Sequence, residues 1–356
     1  MPLEVPPELL TVPGIRRDRA VEEEGLTREP LHLFHTVHAE AIQWEVRGEW
    51  RSYLPVAPRQ ARAGRAIRRT WRADPRPPRE PPDPAELTGS VKRRAAELGF
   101  GAAGVAAYDP KYTFVQYAGH QAGDRVVVLV LEQNYDAVQE TPSVRSNRSA
   151  YDAEADGMRL TAKLARFLHR QGYKARAHNS HEAVTIPYAV DAGLGQLGLN
   201  GQLLTPYAGS RCRLTMLTTE APLLLDSPVD YGITGLCDRC KACIERCPVG
   251  AIPSTRRVHR GVEKAKINTA RCFPVVAQAA GCGVCMKVCP VQRYGLKAVL
   301  DEYARSGRIK GRGTDELEGY GWPLDGRHYP PGNRPRLGPD FFAPPGLDFD
   351  PERKPA

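Results

Sequence analysis

The sequence predicts a layered α/β unit followed by a smaller unit built around cysteine. Two observations carry this. Helical and strand-like patterns alternate through residues 85–225, and eight of the nine cysteines crowd between Cys237 and Cys289. Alternating helices and strands pack most readily as helices against a sheet. A chain of 356 residues with 41% apolar and 26% charged side chains is long enough, and ordinary enough in composition, to bury one large core or two.

Taken in order, residues 1–54 mix short apolar pieces with charged ones, and Leu31–Trp44 (LHLFHTVHAEAIQW) suits a helix. Residues 55–84 are rich in proline, arginine and alanine and read as an extended surface connection. Asp83-Pro84 opens a helix over about 85–98 with Val91, Ala95 and Leu98 on one face, stopped by Gly99. A short strand is expected at 104–108. The run VVVLVLE (126–132) has the length and β-branching of a strand buried on both faces. Ser149–Gln171 reads as a strong helix with Leu160, Leu164, Phe167 and Leu168 as its buried stripe and Gly172 at its end. Strands follow at 174–178 and 213–218, separated by a helix or turn at 186–190 and the glycine-studded AGLGQLGLNG. A helix over 297–305 precedes a proline-rich tail expected to wrap over the surface or stay mobile. The expected organisation is an N-terminal extension and connection (1–84), an α/β domain (85–225), a cysteine-rich domain with a closing segment (226–325) and a tail (326–356).

The formal net charge is +9, and twelve lysines and arginines lie between Arg51 and Arg94. Such a surface could receive an acidic redox protein or nucleic acid, or be a solvated arginine-rich segment. Aromatic residues are not interleaved with these arginines as a base-stacking surface requires, which argues against nucleic acid. No apolar run approaches the ~20 residues that span a bilayer. Arg16-Arg17 has no hydrophobic stretch after it, so it is not an export signal. With cysteine not used for disulfides, a reducing, cytoplasmic setting is expected.

Cys237, Cys240, Cys243 and Cys247-Pro248 form a C-x2-C-x2-C-x3-C-P run, and Cys282, Cys285 and Cys289-Pro290 form a second run one cysteine short. In bacterial ferredoxins the fourth cysteine of such a run ligates the other [4Fe–4S] cluster. The expected sharing is Cys237, Cys240, Cys243 and Cys289 on one cluster. Cys272, ten residues upstream of Cys282, would join Cys282, Cys285 and Cys247 on the other. Zinc, which also takes four thiolates, is the competing reading.

The phrases LVLEQNYDAVQETPS, SAYDAEADG, HNSHEAVTIPYAVDAGLGQLGLNG, TPYAGSRCRLTMLTTEAPL, PVDYGITGLCDRCKACIERCPVGAI, CGVCMKVCP and GTDELEGYGW follow one another along the chain. Together, over about residues 85–325, they resemble the cobalamin-dependent reductive dehalogenases, a family related to epoxyqueuosine reductase. The resemblance implies a nitroreductase-like α/β domain that binds base-off cobalamin, joined to a two-[4Fe–4S] ferredoxin domain. It also implies a small organohalide substrate and an external electron donor such as ferredoxin or flavodoxin. No D-x-H-x-x-G stretch is present, which fits this family.

The family's proton-donating tyrosine corresponds to Tyr151 in SAYDAEADG, and its cationic partner to Arg213 in RCRL. Their chemistry is consistent with those roles. A phenol titrates near 10, and a fixed positive charge or a helix N-terminus at Tyr151 would lower that. Arg211 would project from the same strand face and competes with Arg213. Asn179 and Ser180, in the turn flanked by His178 and His181, and Gly209 are implied contacts of the cofactor. The histidines could serve as acids or ligands, or be packing residues. Gly193, Gly195, Gly198 and Gly201 could admit a flat cofactor or merely shape loops. Tyr188 and Tyr207 are weaker pocket candidates, and Cys212 reads as a small buried residue. The competing functions are an epoxyqueuosine-reductase-like enzyme acting on tRNA and a non-catalytic corrinoid or electron carrier. The tRNA enzymes use an acidic proton donor, so Tyr151 argues for the dehalogenases.

Overall fold

The computed structural model describes residues 3–14 and 50–337, apart from 77, 79, 81, 115–116, 180–181, 260–261, 325 and 334–336. The helix expected at Leu31–Trp44 and most of the tail lie outside the described residues.

Four strands make the central sheet: β1 (Ala102–Ala107), β2 (Arg125–Glu132), β3 (Ala175–His178) and β4 (Cys212–Thr219). They lie in the order β1-β2-β4-β3, and each neighbouring pair is antiparallel. Val126 to Val130 of β2 are wholly buried. Their side chains alternate between two cores, with Val127 and Leu129 in one and Val126, Val128 and Val130 in the other. Burying each such valine or leucine stabilises the fold by about 1.5–3 kcal/mol. The first core is closed by three helices, α1 (Ala57–Trp71), α2 (Pro84–Glu97) and α3 (Val144–Arg170). The second is closed by the short helix Thr185–Asp191 and Tyr112. The result is helices on both faces of a sheet.

Over Ala57–Trp71 the chain is a helix, not the extended connection expected for residues 55–84. Helix α1 buries Ala63, Ile67 and Thr70, spaced for one helical face, and turns its arginines outward. Pro58 falls in its first turn, where a missing N–H costs nothing, and alanine and arginine are good helix formers. Trp71 Nε1 donates to the Ala177 carbonyl at 2.7 Å, and Thr70 Oγ1 accepts from Ala177 N at 3.1 Å, which pins the end of α1 to β3.

Helix α2 starts where the sequence indicates: the Asp83 carboxylate accepts from the N–H groups of Ala85 and Glu86 at 2.9 and 3.1 Å. Helix α3 starts earlier than expected, capped by Ser143, whose Oγ accepts from Ser146 N at 3.1 Å. It ends at Arg170, and Gly172, just beyond the Gln171 cap, takes a φ of +88° that suits glycine.

The cysteine-rich part is a string of short helices: Ile233–Cys240, Ala242–Glu245, Thr269–Gln278, Val284–Lys287, Pro290–Tyr294 and Leu296–Ser306. The start of the tail, Arg327–Tyr329, pairs with Trp322–Leu324 and does not run loose. The N-terminal Leu9 packs on this part, its carbonyl 2.5 Å from where a Cβ on Gly235 would stand. Among the described residues no helix is long and apolar enough to cross a membrane.

Candidate functional site

The eight clustered cysteines fall into two groups. Cys289 feels the charges of Cys237, Cys240 and Cys243, although at least 46 residues separate it from them in sequence. Cys282 feels Cys272 and Cys247, and Cys285 feels those two together with Cys282. Cys285 also feels Cys243, so the groups are neighbours. The first group lines a cavity with about 400 Å³ of atom-free space, its open mouth included, walled by Leu199, Leu204, Leu236 and Val291.

Burial pushes the Cys237, Cys243, Cys272 and Cys282 thiols up to about 12, the neighbouring sulfurs adding to it in each case. To ligate iron each thiol gives up its proton, and the bound metal takes the proton's place. Backbone N–H groups are ready for that charge: Ala251 N donates to Cys247 Sγ at 3.2 Å, and Leu199 and Gln292 do the same for Cys237 and Cys289. Zinc draws four sulfurs to about 2.3 Å from one ion. The first four thiols surround a volume instead of a point. The groups fit clusters. Cys282 is presented by a left-handed stretch, Ala280, Gly281, Cys282 and Gly283, with φ of +46°, +83°, +47° and +71°.

Arg213 reaches the backbone of the helical turn that carries Tyr151. Residues of β4 alternate between the two cores, and Arg213, Thr215 and Leu217 turn toward α3. Arg213 Nε donates to the Ala150 carbonyl at 3.3 Å, next to Tyr151. The α3 stripe continues through Gly157, where a Cβ would stand 2.8 Å from Thr215, and Thr161, whose hydroxyl meets that of Thr215 at 2.7 Å. Gly157 therefore lets α3 approach the strand that carries Arg213. Tyr53 stands edge-on to the Tyr151 ring, with centroids 5.4 Å apart. Tyr151 is not at the head of its helix. It is the eighth residue of α3, two turns in, where the dipole of the N-terminus no longer reaches. Arg211 is already committed, bonded to Glu132 at 2.8 Å and to the Gln133 carbonyl at 3.1 Å, and it lies over the Tyr135 ring.

The remaining candidates separate. Asn179 is partly buried, its N–H donating to Glu182 at 2.9 Å, while Ser180 and His181 lie outside the described residues. His178 is a packing residue: one ring nitrogen meets Glu182 at 2.7 Å and the other Thr218 at 2.8 Å. Gly209 has φ of +53°, and a Cβ there would stand 2.5 Å from Gln292 N, so it marks a close approach of backbone to backbone. Gly193, Gly198 and Gly201 are likewise crowded by their own chain, at Ser227, Asn200 and Ile267. Tyr188 belongs to the core, its hydroxyl donating to the Asp109 carbonyl at 2.7 Å. Tyr207 lies over Gly101 instead. Cys212 is walled in with the second core, and burial pushes its thiol up to about 12.

The contact between the two parts runs along a seam. Tyr135 donates to the Arg293 carbonyl at 3.0 Å, Arg293 to Gln139 Oε1 at 2.7 Å, and Lys287 to the Gln139 carbonyl. A Cβ on Gly281 would stand 2.5 Å from Asn147, one turn before Tyr151. Gln292, 1% exposed, has no partner at either end of its side-chain amide, and Ser210 Oγ nearby is also buried without one. This unmet polar capacity suits a polar cofactor held between the sheet and the cysteines. Sequence reasoning missed Asn147 and Gln292. The one signal for Gln292 is its place three residues after Cys289.

Fold and site together define an iron–sulfur protein: the 4Fe-4S dicluster domain family matches residues 236–293. A tetrachloroethene reductive dehalogenase of Desulfitobacterium hafniense is 35% identical over 149 residues, 42% of this chain and 26% of that one. The one from Sulfurospirillum multivorans is 30% identical over 182 residues, 49% and 36%. An epoxyqueuosine reductase of a Synechococcus is 27% identical over 266 residues, 61% of this chain and 79% of that one. A catabolic reductive dehalogenase solved with 3-bromo-4-hydroxybenzoic acid aligns over 96% of this chain and 53% of its own, with a TM-score of 0.65 at 21% identity, a likeness of fold. The chain is related to the reductive dehalogenases and the epoxyqueuosine reductases, and the matches span 26% and 36% of the two dehalogenases.

Proposed function

We propose that this chain is a corrinoid- and iron–sulfur-dependent reductase that replaces a carbon-bound halogen by hydrogen. The observation that carries the reading is the Arg213 guanidinium fixed on the carbonyl next to Tyr151. A low-potential, one-electron donor protein such as ferredoxin or flavodoxin supplies two electrons in turn. Cys237, Cys240, Cys243 and Cys289 would hold one cluster, and Cys247, Cys272, Cys282 and Cys285 the other. When bound, the clusters relay electrons and the corrinoid supplies a strongly reducing metal. In the net reaction the carbon–halogen bond breaks, halide leaves with the bonding pair, and two electrons and one proton make the carbon–hydrogen bond. Tyr151 Oη gives that proton. The Arg213 guanidinium stabilises the phenolate left behind. Tyr53 covers one side of the Tyr151 ring.

A second reading, reduction of a modified tRNA, has its own support in the 79% coverage of the epoxyqueuosine reductase and in the outward arginines of α1. Anaerobic reconstitution followed by parallel assays separates the two: halide release from a halogenated aromatic against loss of the epoxide in tRNA. About eight iron atoms and a corrinoid spectrum are expected per chain; a chain that takes up iron but no corrinoid removes both readings. Tyr151→Phe is expected to lower turnover by at least a hundredfold with both cofactors retained, and undiminished turnover removes Tyr151 as the donor.

A further inference from the structure

The cavity of the first cysteine group meets solvent at Lys241. Of the residues that line it, Lys241 alone is exposed; the apolar wall is buried and the four cysteines are buried or half-buried. Lys241 is the hinge between the helices Ile233–Cys240 and Ala242–Glu245, with φ of +52°. Glycine takes that conformation freely and lysine only under strain, so the hinge by itself does not call for this side chain.

Other cations stand around the opening. Arg239 is exposed, its Nη1 donating to the Gly235 carbonyl at 3.2 Å. Arg312 Nε donates to the Cys240 carbonyl at 2.6 Å, and its Nη2 to Glu245. Arg256 pairs with Asp238, the residue after Cys237. Asp238 and Glu245 match two of these four cations and leave Arg239 and Lys241. The second cysteine group abuts the α/β unit instead, where Gly281 and Gly283 crowd Asn147 and Thr141. The other arginine-rich surface, α1, packs in the first core, which holds none of the cysteines.

We propose that Lys241, with Arg239, Arg256 and Arg312, is the docking surface on which an acidic flavodoxin delivers electrons to the first cluster. This rests on the reductase reading above. Opposite charge speeds the encounter and fixes its register. A phosphate backbone would be repelled by Asp238 and Glu245, whereas a protein surface offers a cation opposite each. In the transfer the anionic flavin hydroquinone loses one electron and becomes the neutral semiquinone, the cluster gains that electron, and no proton moves.

The test uses the full chain with its clusters loaded anaerobically, and an acidic flavodoxin as the probe. Its hydroquinone is mixed with wild type and with Lys241→Gly, and the semiquinone is followed by absorbance. At low salt Lys241→Gly is expected to react about fivefold more slowly, the gap closing at about 0.5 M salt, where the attraction is screened. Reduction by the methyl viologen radical stays level, and the thermal midpoint stays level or rises, because glycine relieves the hinge. Acetylation of lysine amines, read by mass spectrometry, is expected to find Lys241 shielded by flavodoxin and Lys174, at the start of β3, unshielded. Equal flavodoxin rates overturn the surface. So does a loss that persists at high salt or extends to viologen, which would make Lys241 act on the cluster itself. Shielding of Lys241 by transfer RNA and not by flavodoxin makes this an RNA site and overturns it too. A chain that takes up no iron overturns the reductase reading with the surface; clusters reduced at one rate in both proteins overturn the surface alone.

Discussion

Cys212 is the thiol left over by the two cysteine groups, and its environment makes it inert. Burial is the main cause of its pKa of about 12, with Glu132 adding to it and Arg213 and Arg211 opposing. The sign of the linked stability follows. Below the ordinary thiol value near 9 both folded and unfolded chains keep the proton, and nothing changes. Between about 9 and 12 the unfolded chain loses it and the folded chain does not, so stability falls by up to about 1.4 kcal/mol per pH unit. Cys212→Ala is expected to lose less stability than wild type between pH 8 and 10.5 in urea titrations of cluster-loaded protein. Equal losses would place the proton elsewhere. Tyr151 and Arg213 carry the same lesson about position. The start of the helix that carries Tyr151 was not legible, because the cap Ser143 lies seventeen residues before Leu160, where the strong apolar stripe begins.

At the scale of elements, α1 is the instructive case. Its composition reads as linker, yet Ile67 is 1% exposed within the first core. Ile67→Ala is expected to cost about 2–5 kcal/mol by removing packed methyl groups, whereas Arg65→Ala, on the exposed face, is expected to stay within about 0.5 kcal/mol. Denaturant midpoints of the two variants check this, and equal, small losses would return the segment to linker. The period of Ala63, Ile67 and Thr70 was present in the sequence but masked by the arginines between them and the prolines after them. By contrast α2 was legible, since Asp83, Pro84 and Gly99 are local signals that act through the backbone of their own turn. The strand β2 was legible too, because a short β-branched run has few other ways to be buried.

Across the whole molecule the seam joins the two parts, and at Gly209 backbone meets backbone across it. Gly209→Ala puts a methyl 2.5 Å from Gln292 N at a φ of +53°. Gly307→Ala is a matched control, with φ of +66° and nothing within 4 Å. The control should lose about 1 kcal/mol from backbone strain, and Gly209→Ala clearly more, with the added loss reporting the seam. Thermal unfolding of both checks this, and equal losses would mean that the seam yields freely.

The sequence by itself determined the cysteine spacings, the alternation of helix and strand, and the caps of α2, because each is written within a few neighbouring residues. The tertiary structure alone decided which residues from distant segments meet. It brought Cys289 to Cys237, Arg213 to the turn of α3 beside Tyr151, and Gln292 to Gly209, and it gave Arg211 to Glu132 instead. These contacts follow from strand register, helix approach at Gly157 and backbone crowding, which depend on the whole packed chain and leave no local mark in its sequence.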